Sequence, residues 1–80
     1  MFRAEVVLRF KDLDGREPVF GGASSSPELA RAVADVLVRE AHALASRAGR
    51  QDPTVGAVLR AEVARLRGVR RAIEAMEVEP

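Results

Sequence analysis

The sequence predicts an α+β fold in which a β-hairpin is followed by an antiparallel helical hairpin (ββαα), the two packed as layers. Three observations carry that expectation. Residues 2–10 alternate apolar and polar side chains with the period of a half-buried strand. Two later stretches, 27–48 and 53–76, repeat their apolar residues at helical spacing. Only Gly49 to Asp52 separates them, a link short enough to force the helices antiparallel.

In chain order, Phe2, Ala4, Val6, Leu8 and Phe10 point to one side of the first strand and Arg3, Glu5, Val7 and Arg9 to the other. Asp14-Gly15 can adopt the positive dihedrals of a tight hairpin turn, so residues 16–20 are expected to return as the second strand. Pro18 lacks an amide hydrogen, which places that strand at an edge. Gly21-Gly22-Ala23-Ser24-Ser25-Ser26 is expected to break the sheet and lead into a helix. Ser25 or Ser26 can cap that helix, Pro27 suits its first turn, and Glu28 meets the positive end of its dipole. The buried face reads as Leu29, Val33, Val36, Leu37 and Leu44 with Ala30, Ala34, Ala41 and Ala48; Arg31, Asp35, Arg39, His42 and Ser46 line the wet face. Gly49 is the expected stop, and Asp52-Pro53 starts the second helix. Glu77 to Pro80 reads as a frayed acidic end.

The second helix sorts its side chains into three stripes. Val55, Val58, Leu59, Leu66, Val69, Ile73 and Met76 form one, and Ala57, Ala61, Ala64, Gly68, Ala72 and Ala75 another. Arg60, Arg67 and Arg71 make a ridge beside the small residues. A chain of 80 residues supports only about 3–5 kcal/mol of net stability from a lone core. With no cysteine for disulfides and no histidine cluster for zinc, oligomerisation is the remaining supplement. The expectation is a homodimer, with Val55, Leu59, Leu66, Val69, Ile73 and Met76 as its interface.

Composition narrows the setting. No apolar run approaches the roughly 20 residues of a membrane helix, and the N-terminus lacks the form of a signal peptide, so the chain is expected in the cytoplasm. Lysine plus arginine number 13 against 12 acids, which gives no global polyanion-binding signature. Binding of nucleic acid or another polyanion would have to come from Arg60, Arg67 and Arg71 locally. No tyrosine or tryptophan is present to stack on bases.

Glu40 and Glu62 fall inside the apolar arcs of their helices, where facing carboxylates could share a proton or a metal, or each pair with an arginine. His42, with Ser46 one turn onward, has the elements of a base and nucleophile but no oxyanion donors beside them. The glycine and serine run before the first helix could cradle an anion, yet it lacks the spacing of a phosphate-binding loop. No cofactor or metal is expected.

A hairpin closing at Asp14-Gly15 and followed by a capped helix resembles the antitoxin-like partial ribonuclease H domains. Those carry a third strand between hairpin and helix, for which Gly21 to Pro27 leaves no room, so the sequence places the chain in no family. The functional expectation is a small cytosolic interaction and assembly module forming a homo-oligomer without catalysis. The alternative is anion or nucleic-acid binding through the arginine ridge. An enzyme using Glu40, Glu62 or His42 ranks last.

Overall fold

A computed structural model describes residues 3–78 of the chain. The elements follow the expected order: β1 (Ala4–Arg9), β2 (Val19–Ser24), α1 (Pro27–Gln51) and α2 (Pro53–Val78). β1 and β2 form a two-stranded antiparallel sheet whose register pairs Val6 with Gly22 and Leu8 with Phe20. The two helices lie antiparallel, and the hairpin runs along one side of the pair. Val6 and Leu8 enter the core from β1 and Phe10 from just beyond its end, where its ring stacks on Phe20 at a centroid separation of 6.4 Å.

The second strand lies further along the chain than residues 16–20. Asp12 sets this limit. Its carboxylate accepts from the amides of Asp14 at 3.0 Å and Arg16 at 2.8 Å, while its own amide donates to the Arg16 carbonyl. Asp14-Gly15 therefore sits inside a wider loop, with Gly15 at a φ of 80°, and is not a two-residue turn. Pro18 precedes the ladder, and pairing resumes at Val19. The Gly21-Gly22 step continues the strand where a break was expected. Gly21 takes a φ of 99°, and a Cβ there would overlap the Val6 carbonyl oxygen and lie 3.1 Å from Leu37. Glycine here lets the two backbones close. Of the first strand's expected span, Phe2 lies outside the described residues, and Phe10 follows the last paired residue.

Ser26 caps α1, its hydroxyl accepting from the Leu29 amide at 3.2 Å, with Pro27 in the first turn. Gly49 does not end the helix. α1 continues to Gln51, and Asp52 alone turns the chain, its amide donating to Ala48 and its carboxylate accepting from Thr54 at 2.9 Å. The reason lies across the pair. A Cβ on Gly56 would stand 2.9 Å from the Gly49 Cα, so glycine at both positions allows near backbone contact beside the turn. α2 runs through Val78, two residues beyond the expected end; Glu79 and Pro80 lie outside the described residues.

The helix interface differs from the expected one in its choice of side chains. α1 buries Ala30, Ala34, Leu37, Ala41 and Ala45, whereas Leu29 and Val36, expected in the core, are 56% and 53% exposed. Opposite the alanines stand Val55, Leu59, Val63, Leu66 and Ile73 of α2. Alanine brings the axes together, and the branched residues of the second helix fill the space.

Two glycines in α2 should respond in opposite senses to alanine. Gly56→Ala is expected to lower the unfolding free energy by about 1–3 kcal/mol, because its Cβ meets backbone. Nothing lies within 4 Å of a Cβ at Gly68, so Gly68→Ala is expected to raise stability by up to about 1 kcal/mol through helix propensity. Urea denaturation of the two variants checks both signs.

Candidate functional site

The stripe expected to join subunits is largely spent inside one chain. Val55, Leu59, Leu66 and Ile73 are buried between α2, α1 and the hairpin, and Val69 packs against the same core. Met76 and Val58 remain exposed. An amphipathic pattern cannot distinguish a face that meets a partner from one that meets its own subunit, and here the hairpin and α1 together cover most of it. The small-residue stripe is left to solvent: Ala57, Ala61, Ala64, Ala72 and Ala75 are exposed.

The sheet has two edges, and they differ. The Val6 carbonyl points across to β2, as the overlap with a Cβ on Gly21 shows, so the Val7 carbonyl points away from β2. Arg65 of α2 donates to that Val7 carbonyl and so occupies this edge at its middle with a side chain. The guanidinium is itself held by Glu62, at 2.7 Å from Nη2 and 3.1 Å from Nε. On β2 the same alternation turns the main-chain groups of Val19, Gly21 and Ala23 outward, where no described residue pairs with them. The strand carries no charged residue and is exposed along almost its whole length.

Beside this open edge α1 presents the apolar residues that the alanine face displaced. Gly21, Leu29, Ala32, Val33, Val36 and Leu37 line a shallow cleft of 350 Å³. Gly22, on the core-facing side of the strand, leaves open space where a side chain would stand. An unpaired strand edge and an apolar shelf thus adjoin.

The arginines divide into two sets. Arg70 lies 2.6 Å from Asp35 of α1 and 3.2 Å from Glu74, and Arg65 is bound to Glu62. The Arg70–Asp35 contact is an ion pair in distance; its N–H is not aligned as a hydrogen bond. Arg60, Arg67 and Arg71, the predicted ridge, have no carboxylate partner among the described residues. Arg67 approaches His42 Nε2 at 3.1 Å, a ring nitrogen that accepts in the neutral tautomer protonated at Nδ1. Arg60 reaches back over the Gly49–Gly56 crossing.

The residues singled out for chemistry each have a separate partner. Glu40 is half exposed and 4.0 Å from Arg47, Glu62 binds Arg65, and His42 meets Arg67. Glu40 points to the flank of α1, outside the core that its apolar neighbours suggested. A hollow of 310 Å³ at Asp35, Val38 and Arg39 and another of 380 Å³ between the Lys11–Gly15 loop and Asp52–Val58 involve none of the three. Among the described residues no group of three or more His, Cys, Asp or Glu side chains is placed to hold a metal ion. None of their helices is long and apolar enough to cross a membrane. No protein-family model matches the chain, and no curated protein or solved structure is significantly similar to it.

Sequence reasoning missed Arg65, which periodicity marks only as one more surface arginine. Its contact depends on the hairpin lying over α2. Arg65→Met is expected to cost about 1–2 kcal/mol in urea denaturation, since it leaves the Val7 carbonyl and Glu62 without their donor. Arg60→Met should change stability by less than about 0.5 kcal/mol. Equal effects would show that the edge contact contributes nothing special.

Proposed function

We propose that the chain is a non-catalytic interaction module that assembles as a homodimer through the outer edge of β2. The observation that supports it is the asymmetry of the sheet: Arg65 occupies the β1 edge at Val7, while the outer edge of β2 is uncharged and has no strand beside it. Strands in that state associate readily, because each outward amide and carbonyl gains a partner without new chain ordering.

A second copy is the occupant that fits. β2 carries both a knob and a hole. Phe20 is 42% exposed on the core-facing side, and Gly22 on the same side is open. Antiparallel pairing centred on Gly21 places the Phe20 ring of each copy over Gly22 of the other, against the shelf of Leu29, Val33 and Val36. Absence of charge on the strand removes the like-charge repulsion that would oppose self-pairing. The resulting sheet has four strands with all the helices on one side, which gives a small domain the extra apolar burial it needs. The absence of cysteine suits work in the reducing cytoplasm.

Sedimentation at micromolar concentration is expected to give a dimer. Val36→Glu places a charge on the shelf at a site exposed in the single chain, and it should yield a folded monomer. Ala23→Pro, which removes an outward amide, should do the same. A wild-type monomer, or a dimer indifferent to both changes, would sink the reading.

A further inference from the structure

The ridge of Arg60, Arg67 and Arg71 faces away from the sheet, and we propose that it binds the phosphate backbone of a nucleic acid duplex. The orientation follows from the contacts of the neighbours. α2 turns Val55 and Arg65 toward the hairpin, and Gly56, Val63 and Arg70 toward α1. At about 100° per residue, the three arginines then fall within roughly 40° of one another on the side opposite the sheet. They span about 16 Å along the helix axis, on the scale of a groove about 12 Å wide.

Their electrostatic state sets them apart from the other arginines of α2. Arg65 and Arg70 already have carboxylates within 3.2 Å, so an incoming phosphate would compete with an acid there. Arg60, Arg67 and Arg71 have none among the described residues. The neighbouring part of α1 adds Arg39 and His42, the latter in contact with Arg67. Asp35, the acid of α1 nearest the ridge, is occupied by Arg70, and Glu28 lies at the far end of the same face. Alanine and glycine flank the ridge at Ala57, Ala61, Ala64 and Gly68, so no bulky side chain keeps a rigid duplex from the helix.

A duplex fits better than a single strand. Strands without partners are held by stacking on aromatic rings, and the chain has three phenylalanines and no tyrosine or tryptophan. Phe10 and Phe20 belong to the hairpin, away from the ridge. Contacts of this kind read phosphates and not bases, so binding is independent of sequence and weakened by salt.

The test is fluorescence anisotropy with labelled duplex RNA, duplex DNA and a single-stranded oligonucleotide over a range of salt concentrations. Duplex binding is expected, strongest at low salt. Arg60→Glu combined with Arg67→Glu should weaken it at least tenfold and flatten the log–log salt slope by about 2, near 0.9 for each lost phosphate contact. Arg3→Glu combined with Arg9→Glu changes net charge equally on the hairpin and should leave affinity within about threefold. The proposal is overturned by no duplex binding at low salt, by an equal loss in the hairpin control, by tighter binding of the single strand, or by inorganic polyphosphate binding where no duplex does. Leu29 and Val36 lie on another flank of α1, so failure here leaves self-association standing.

Discussion

Close approach of the two helices is the constraint from which the other features follow. Gly49 and Gly56 meet almost backbone to backbone, and Ala34, Ala41 and Ala45 continue the interface along α1. Alanine contributes little area, so the volume of the core comes from Leu59, Val63, Leu66 and Ile73 of α2, with Val6, Leu8 and Phe10 from the sheet. A helix that packs through its small face must turn its larger apolar residues elsewhere. Leu29 and Val36 emerge on the flank for that reason, beside the strand that no other element covers.

The hairpin completes the core and in doing so acquires two unlike edges. Over the helix pair, β1 comes within reach of Arg65, and a guanidinium already held by Glu62 closes its free carbonyl. β2 lies against α1, and the bond from Arg65 reaches only the β1 side of the sheet. One sheet therefore has a border held at one carbonyl and another that is open. Pairing two copies about an axis normal to the sheet keeps both helix layers on one side, so the arginine ridges of the two copies would face the same way.

Much of this was legible in the sequence. Alternation at Ala4 to Phe10 marked the first strand and its buried face, the serines and Pro27 marked the start of α1, and Asp52-Pro53 marked the start of α2. The ridge of Arg60, Arg67 and Arg71 was visible as spacing alone. Illegible parts were those in which one residue type serves two ends. Glycine at 21 and 22 reads as a break but here lets strands close; glycine at 49 reads as a stop but here lets helices touch. Glu62 read as a misplaced buried acid, and its partner Arg65 emerged only with the hairpin in place.

By itself the sequence determined the order and type of the elements, because hydrophobic period, capping residues and a short link are local properties of the chain. Tertiary structure decided which apolar stripe is core and which is surface, which strand edge is closed, and which arginines are neutralised. Those outcomes depend on distances between residues far apart in sequence, such as Asp35 to Arg70 and Val7 to Arg65, that no local pattern encodes.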